Sequence, residues 1–245
     1  MQRSAAGVYV TGTDTGIGKT VASVALLHAL RAAGLAAVGM KPVASGCAMT
    51  AQGWRNDDAL ALQAASQPSH PYDVHNPYAL PEATAPQLAA RRAGVAVEPA
   101  VLQRAFVQLS EGADAVVVEG AGGWLAPLAD GLEQSAVARA FGLPVVLVVG
   151  VRLGCLSHAR LSECAIVQDG LPLAGWIGNA IDPDFADADD YRRLLDESLA
   201  APCLGWIGHG DDVAARAQGL HGIARALRLP AGSSVAATPL YCPVQ

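Results

Sequence analysis

A chain of 245 residues, 52% of them apolar, can bury a full hydrophobic core and fits one domain, with two as the upper bound. The net charge of −6, with no basic cluster longer than a pair, argues against a nucleic-acid-binding surface or an anionic-membrane patch. No apolar run is long enough to span a bilayer, and the first residues lack the apolar core of a signal peptide. The five cysteines are odd in number and form no C-x-x-C pair, which predicts reduced thiols in a cytoplasmic protein.

The first predicted strand and helix flank a glycine-rich turn. An apolar, β-branched run at 8–10 precedes Gly12, and a periodic apolar segment at 21–30, which predicts a helix, follows Gly18-Lys19-Thr20. Strand, glycine-rich turn, Lys-Thr and helix form the layout of a phosphate-binding loop. Backbone N–H groups and the helix N-terminus attract phosphate oxygens there, the lysine adds a full charge, and the threonine hydroxyl can bind magnesium.

The spacing of this loop is unusual. Five residues, rather than the usual four, separate Gly12 from Gly18, and Thr13 occupies the place of the usual first glycine. A glycine-rich turn that binds nothing is the alternative interpretation. The Lys-Thr pair and the flanking strand and helix favour the phosphate-binding loop.

The rest of the chain alternates between apolar strands and amphipathic helices. Further strands are predicted at 36–40, 113–119, 144–150, 173–179 and 203–207. Further helices are predicted at 58–65, 84–93, 99–110, 156–168, 189–200 and 212–227, with a loop at 43–55 and an irregular surface connection at 67–86. This alternation indicates a P-loop NTPase-like, three-layer α/β/α fold with a mostly parallel central sheet. We expect one domain over 1–245, with its core at about 8–208 and a C-terminal helix and tail at 209–245.

Ligands of such sheets gather at the carboxyl ends of the strands. This rule brings the loop, Lys41, the segment 119–123, the segment 150–157 and Asn179 to one edge. Glu119 ends an apolar run and precedes Gly-Ala-Gly-Gly, which leaves no side chain to obstruct a ligand, so we interpret it as a magnesium ligand. Asp57 and Asp58 both lie in the first turn of a predicted helix, where an acid usually serves the helix dipole, and the residues alone do not choose between them.

The two lysines stand out against fourteen arginines. Because arginine supplies the surface charge, Lys19 and Lys41 are expected to be needed as lysines. The six histidines show no metal-ligand spacing, and we interpret them as structural or surface residues.

Seven motifs together resemble the dethiobiotin synthetase family. They are Gly-Thr-Asp-Thr-x-x-Gly-Lys-Thr at 12–20, Lys-Pro-Val-Ala-Ser-Gly at 41–46, Arg-Asn-Asp-Asp-Ala-Leu at 55–60, Asn-Pro-Tyr at 76–78, Val-Glu-Gly-Ala-Gly-Gly at 118–123, Val-Val-Gly-Val-Arg-Leu-Gly-Cys at 148–155 and Leu-Ala-Gly-Trp-x-x-Asn at 173–179. The resemblance runs from about residue 8 to 208, and the long loop spacing is a family trait. It implies a Mg²⁺- and ATP-dependent ligase of biotin biosynthesis, acting on 7,8-diaminononanoate and CO2.

The resemblance also implies roles for individual residues. Lys19 would hold the β- and γ-phosphates, and Lys41 would be the principal catalytic cation beside a carbamate intermediate. The magnesium ligands would be Thr20, Asp58 and Glu119, with Asp58 rather than Asp57 aligning. The implied nucleotide contacts are Gly12, Thr13, Thr15, Gly16, Ile17, Gly18, Lys19, Thr20, Val21, Asp58, Glu119, Gly120, Ala121, Gly122, Asn179, Gly208, His209 and Gly210. The implied substrate contacts are Thr15, Lys41, Ser45, Gly154, Cys155, Ser157 and Tyr191, the last four coming from the neighbouring subunit of a homodimer.

Two other functions share this fold class. A partition-ATPase-like nucleotide switch usually carries an additional lysine early in the loop, and residues 13–16 contain none. The synthetase domain of an amidotransferase would require a glutaminase domain with a Cys-His pair, for which this chain is too short. The preference between ATP and CTP stays open.

Overall fold

A computed structural model describes residues 6–220. Its strands are β1 (Ala6–Gly12), β2 (Ala37–Met40), β3 (Val43–Ala44), β4 (Ala48–Thr50), β5 (Gly53–Arg55), β6 (Tyr78–Ala79), β7 (Ala115–Gly123), β8 (Pro127–Ala129), β9 (Leu132–Glu133), β10 (Val145–Gly150), β11 (Leu173–Asn179) and β12 (Cys203–Ile207). Its helices are α1 (Lys19–Ala32), α2 (Asp57–Ala65), α3 (Tyr72–His75), α4 (Pro86–Ala93), α5 (Pro99–Ser110), α6 (Gln134–Phe141), α7 (Cys155–Gln168), α8 (Ala188–Ser198) and α9 (Val213–Gln218).

Six strands form a parallel sheet in the order β12-β11-β10-β1-β7-β2. One face packs against α1 and α2, and the other packs mainly against α5, α6 and α7. The predicted α/β fold with a mostly parallel central sheet is confirmed. Within residues 6–220, no helix is both long enough and apolar enough to cross a membrane.

The two-residue period of the strands decides which side chains meet which helices. In β1, Val8 and Val10 belong to the core under α1, whereas Tyr9 between them belongs to the core on the opposite face. In β7, Val117 lies on the α1 face, and Glu119, two residues later, points to the same side. This parity aims a carboxylate at the helix that follows the glycine-rich loop.

The structure differs from the sequence-based prediction at the end of β7. The strand does not end at Glu119 but continues to Gly123, because the glycine run stays beside β1 until Gly123 lies opposite Gly12. Glu119 is therefore inside a strand, and its side chain is completely buried.

Three further segments depart from the prediction. The segment 43–55, predicted as a loop, contains β3 and the antiparallel pair β4–β5. The connection 67–86, predicted to lie on the surface, contains α3 and the buried side chains of Tyr72, Val74, His75 and Asn76. Helix α6 and the hairpin β8–β9 were not predicted. The predicted helix at 212–227 is observed only in part, because α9 ends at Gln218 and residues 219–220 are not helical. Residues 221–227 and the tail lie outside the described residues, so the proposed domain limits stay a prediction.

Candidate active site

The turn between β1 and α1 is closely packed, and side chains approach the backbone of its glycines. Gly16 and Gly18 have φ angles of 73° and 80°, in the left-handed region that glycine adopts without strain. A Cβ atom at Gly12 would lie 2.8 Å from Cδ1 of Ile17, and one at Gly18 would overlap the side-chain amide of Asn179. Nδ2 of Asn179 donates to the carbonyl of Ile17 at 2.9 Å, which ties the loop to the end of β11.

Helix α1 begins without a side-chain cap. Gly18 is its N-cap residue, and no side chain in the described part of the chain accepts a hydrogen bond from the first turn. The free N–H groups and the positive end of the helix dipole therefore face the glycine-rich turn. This is the arrangement that binds phosphate oxygens.

Lys19 lies under the loop. Its ammonium donates to the backbone carbonyl of Asp14 at 2.7 Å, and 7% of the residue is exposed. Burial, the larger cause, and the charge of Lys41 together lower the pKa of Lys19 to about 8, against the opposing effect of nearby carboxylates, chiefly Glu119. The two lysines are thus electrostatic neighbours in one site.

Lys41 follows β2 and links it to the interior of β7 and to the first turn of α2. Its Nζ lies 2.5 Å from Oε1 of Glu119, 3.1 Å from Oδ2 of Asp58 and 3.3 Å from the carbonyl of Gly120. The hydroxyl of Thr20 donates to the same Oε1 at 2.9 Å, which connects this ion cluster to the first turn of α1. Four residues predicted from separate motifs therefore meet in one place.

Burial and charge act in opposite directions within the cluster. Burial alone would lower the pKa of Lys41, but Glu119 and Asp58 together raise it above its usual value. Burial alone would raise the pKa of Asp58, yet Lys41, Thr20 and Lys19 hold it below its usual value. The ion pairs keep both groups charged at neutral pH.

The oxygen donors of this cluster fit a magnesium ion. Oε2 of Glu119 is buried and has no hydrogen-bond partner among residues 6–220. The Asp58 side chain is 44% exposed. The Thr20 hydroxyl donates a hydrogen bond to Oε1, the other carboxylate oxygen of Glu119. No group of three or more His, Cys, Asp or Glu side chains capable of holding a metal occurs in this described range, so a metal here would need phosphate or water oxygens as well.

The glycine run after Glu119 forms the wall opposite the loop. A Cβ atom at Gly122 would lie 3.6 Å from the hydroxyl of Thr15, and the backbone at Gly122 has a φ of 70°. Ala121 lies between Gly120 and Gly122 on this wall. The predicted nucleotide contacts at 12–21 and 119–122 thus lie on facing segments.

The remaining predicted nucleotide contacts follow β11 and β12. Asn179 is paired with Ile207 across the two strands, so the segment Gly208-His209-Gly210 begins next to it. The N–H of Gly208 donates to a carboxylate oxygen of Asp211 at 2.6 Å. The segment is at the same sheet edge as the loop.

The predicted substrate contacts fall into two groups. The hydroxyl of Ser45 donates to the carbonyl of Thr84 at 2.7 Å, on the Lys41 side of the site. Gly154, buried Cys155 and exposed Ser157 begin α7, and Tyr191 on α8 packs edge-on against Phe185 with 4.8 Å between ring centroids. Within residues 6–220, no hydrogen bond joins this second group to Lys41 or Lys19.

Two sets of residues support the site, and neither had a role predicted from the sequence. Nδ2 of Asn76 donates to the carbonyl of Lys41 at 2.7 Å, and the hydroxyl of Tyr72 donates to Oδ1 of Asn76 at 2.9 Å. That hydroxyl also accepts from the N–H of Asn56, the N-cap of the helix that carries Asp58. The Asn-Pro-Tyr motif at 76–78 was a signal for this set.

The second set lies across the loop. A guanidinium nitrogen of Arg152 lies 2.7 Å from Oδ2 of Asp14, joining the segment after β10 to the glycine-rich turn. Both side chains are nearly half exposed, so this ion pair contributes little to stability. It shows that the start of the α7 segment lies beside the loop.

A parallel sheet with a glycine-rich, lysine-bearing turn between its central strand and an uncapped helix defines a P-loop nucleotide-binding protein. A family model described as "AAA domain" matches residues 6–217. The chain is 59% identical over 222 residues to "ATP-dependent dethiobiotin synthetase BioD" of Xanthomonas campestris pv. campestris, covering 91% of this chain and 97% of that protein. It is 57% identical over 206 residues to the protein of the same name from Xylella fastidiosa, covering 84% and 91%. The chain belongs to the ATP-dependent dethiobiotin synthetase family, whose members are ligases.

Similar solved structures share the fold. The MinC:MinD cell division complex of Aquifex aeolicus matches with a TM-score of 0.54 at 13% identity, covering 98% of this chain and 99% of the matched chain. A ParA family ATPase from Chlorobium tepidum matches with a TM-score of 0.52 at 13% identity, covering 91% and 93%. At this level of identity the likeness concerns the fold alone.

Proposed function

We propose that this chain catalyses the ATP-dependent carboxylation and ring closure of 7,8-diaminononanoate with CO2, which yields dethiobiotin, ADP and phosphate. Its relatives at 57–59% identity carry the name of this activity. The observation that carries the proposal is the buried contact between Lys41 and Glu119, 2.5 Å long, beside Thr20 of the phosphate-binding loop. It supplies a second cation where a γ-phosphate would lie.

The proposed reaction has three steps. One amine of the substrate forms a C–N bond with CO2 and releases a proton, which leaves a carbamate anion. A carbamate oxygen then forms a bond with the γ-phosphorus of ATP as ADP leaves, giving a carbamic-phosphoric anhydride. The second amine attacks the carbonyl carbon, loses a proton and expels phosphate, which closes the ureido ring. Phosphoryl transfer of this kind needs positioning and charge neutralisation more than a side-chain nucleophile.

In this proposal the two lysines neutralise different negative charges. Lys19 and the free N–H groups of the loop and α1 hold the β- and γ-phosphates, which agrees with the uncapped start of α1. Lys41 lies beside the carbamate and the γ-phosphate, where its charge stabilises the transferring group. The backbones of Gly12, Thr13, Thr15 and Gly16 complete the phosphate contacts.

We propose Thr20, Asp58 and Glu119 as the residues that hold Mg²⁺. When bound, the ion neutralises charge on the phosphate oxygens. The support is the set of oxygen donors at one point, including the buried and unpartnered Oε2 of Glu119. The two carboxylates and the hydroxyl orient one another through Lys41 and Thr20.

We propose that the base of the nucleotide contacts Asn179 and the segment Gly208-His209-Gly210. The support is their position at the ends of neighbouring strands, and the hydrogen bond from Asn179 to the loop, which places them beside the phosphate site. Competition between ATP and CTP for binding measures the base preference.

We propose that the active unit is a homodimer in the cytoplasm. Gly154, Cys155 and Ser157 at the uncapped start of α7, with Tyr191, would hold the substrate carboxylate for the neighbouring subunit, while Thr15 and Ser45 contact the substrate from the same subunit as Lys41. Exposed apolar side chains on this segment, Leu153 at 80% and Leu161 at 66%, support an interface there.

Mixing two inactive variants tests the shared site. If Lys41 and Tyr191 serve one site from different subunits, heterodimers of Lys41→Met and Tyr191→Ala contain one intact site. Random reassembly then restores about a quarter of wild-type turnover. Activity no higher than the sum of the two variants contradicts the shared site.

Phosphate release tests the reaction itself. We expect release from ATP to require both diaminononanoate and bicarbonate, with dethiobiotin formed in equal amount. ATP hydrolysis that ignores both substrates and responds only to a protein, DNA or lipid partner overturns the proposal in favour of a nucleotide switch.

A further inference from the structure

A buried amide lies beneath the glycine run at the end of β7. Gln134, the first residue of α6, is completely buried. Its Nε2 donates to the carbonyl of Ala121 at 2.7 Å and to that of Gly123 at 2.5 Å. Its Oε1 accepts a hydrogen bond from the hydroxyl of Tyr9 at 3.0 Å. The amide therefore uses both of its donors and its acceptor.

Tyr9 holds this amide from the middle of β1. Its side chain is completely buried, and its ring packs edge-on against Trp124, with 6.2 Å between ring centroids. Gln134 and Tyr9 lie on the sheet face opposite α1, so neither side chain is on the face that carries the ion cluster. Their contact with the site passes through the backbone of residues 120–123.

The backbone of residues 120–123 contacts the candidate active site at three points. The carbonyl of Gly120 accepts from Nζ of Lys41 at 3.3 Å. Gly122 faces the hydroxyl of Thr15, and Gly123 is paired with Gly12 at the start of the phosphate-binding loop. A displacement of this segment would move the Lys41 acceptor and the wall of the loop together.

The glycine sequence and the amide are matched in shape. A Cβ atom at Gly120 would overlap Oε1 of Gln134 and come within 3.0 Å of the Tyr9 hydroxyl. Only a glycine lets the strand lie directly over the amide. The two N–H groups of the amide then bond the carbonyls of Ala121 and Gly123 and fix their positions.

We propose that Gln134, supported by Tyr9, is a positioning residue of this active site: it holds the segment 120–123 against the phosphate-binding loop and Lys41. The role in turnover rests on the proposed function. The role in ATP binding does not, because the phosphate-binding loop is itself one of the elements that the segment contacts.

The test is the variant Gln134→Met, which keeps the side-chain volume and removes every hydrogen bond. We expect the Kd for ATP with Mg²⁺ to rise about tenfold and kcat to fall by a similar factor, the ratio that corresponds to one net hydrogen bond. Calorimetry measures the first and phosphate release the second, both well below the unfolding temperature. Gln87→Met, the same substitution at a glutamine that bonds Asp130 near the surface, is the matched control and should leave both values unchanged.

A double-mutant cycle tests whether Gln134 and Tyr9 act together in ATP binding. Tyr9→Phe removes only the hydrogen bond to Oε1 and should raise the Kd for ATP by a smaller factor, about twofold to fourfold. The double variant should bind ATP no worse than Gln134→Met, because the two groups act as a unit. If Gln134→Met does not fold, Tyr9→Phe still decides the question.

Several outcomes overturn the proposal. A lowered unfolding temperature with wild-type Kd for ATP and wild-type kcat in Gln134→Met, or in Tyr9→Phe where Gln134→Met does not fold, assigns the amide to stability alone. A wild-type chain that binds ATP without diamine-dependent phosphate release overturns the proposed function instead, and the ATP affinities of the variants then still test Gln134.

Discussion

The ammonium of Lys41 lies 2.5 Å from a carboxylate oxygen of Glu119, although 78 positions separate the two residues in the chain. Both side chains are buried, 6% and 0% exposed, and the pair touches Thr20 of α1. A charge-assisted hydrogen bond in such surroundings orders both groups. The contact joins the phosphate-binding loop to the end of β2, and it determines most of the expectations below.

Replacing each lysine by methionine should separate binding from catalysis. Lys41→Met should lower turnover by about 10²- to 10³-fold, the effect of removing one preorganised electrostatic group, while ATP still binds. Lys19→Met should instead abolish measurable ATP binding, because this ammonium belongs to the loop itself. Calorimetry with ATP and steady-state phosphate release measure the two effects.

The Lys41 variant also loses stability. Glu119 is left as an uncompensated buried charge, which costs about 3–5 kcal/mol. Denaturant unfolding should show this loss, and Lys41→Met with Glu119→Gln should recover part of it. Full-speed diamine turnover in folded Lys41→Met is incompatible with the proposed site.

The neighbouring acids Asp57 and Asp58 offer a matched comparison. Asp58 is bonded to Lys41, whereas Asp57 is exposed in the same helical turn. Asp58→Asn should raise the Mg²⁺ concentration for half-maximal activity by about tenfold or more. Asp57→Asn should leave it unchanged and cost at most about 1 kcal/mol through the helix dipole.

A magnesium titration of phosphate release measures both variants. Equal shifts for the two asparagine substitutions would mean that general negative charge, and not a ligand at position 58, sets the magnesium requirement.

Two glycines of the loop should respond differently to alanine. Both have positive φ, so each alanine costs about 1–2 kcal/mol of backbone strain. A Cβ at Gly18 would also overlap the Asn179 amide, whereas a Cβ at Gly16 meets no atom within 4 Å in the described structure. Gly18→Ala should therefore weaken ATP binding by more than tenfold, and Gly16→Ala by much less. Similar affinities for the two variants would show that the contact with Asn179 does not shape the loop.

His75 should make stability depend on pH. Its side chain is buried, Nδ1 lies 2.6 Å from the carbonyl of Gly39, and Nε2 has no hydrogen-bond partner within residues 6–220. Burial lowers the pKa of His75, with His70, 6.1 Å away between ring centroids, acting in the same direction and the Gly39 carbonyl opposing it. The folded state binds fewer protons than the unfolded state, so this stabilisation is present above the unfolded pKa of about 6.5 and decreases as the pH falls below it.

Urea unfolding at pH 8.0 and pH 5.5 measures this effect. The wild type should lose more free energy of unfolding between the two pH values than His75→Gln does. His158→Gln, at an exposed position on α7, should behave as the wild type. An identical pH dependence in His75→Gln would assign the effect to other groups.

Local sequence patterns were sufficient to predict the phosphate-binding loop and most strands of the sheet. Strands β11 and β12 and helix α5 have the predicted bounds, because continuous apolar runs and regular apolar spacing report directly on burial. Helix α6 was missed although Val137, Ala138 and Phe141 have helical spacing and Gly142 ends it in the left-handed region. Its eight residues follow the short strands β8 and β9, which carry little pattern of their own.

The sequence by itself determined that the chain folds as a parallel α/β protein with a lysine-bearing loop for phosphate, since glycines, a Lys-Thr pair and apolar periodicity act over a few residues. Only the tertiary structure decided that Glu119 is an interior residue of β7 facing Thr20 and Lys41, and that Gln134 lies under the glycine run. The physical reason is that these contacts depend on strand order and register. Placing β1 between β10 and β7 brings distant segments within hydrogen-bonding distance, and no local pattern encodes which side chains then meet.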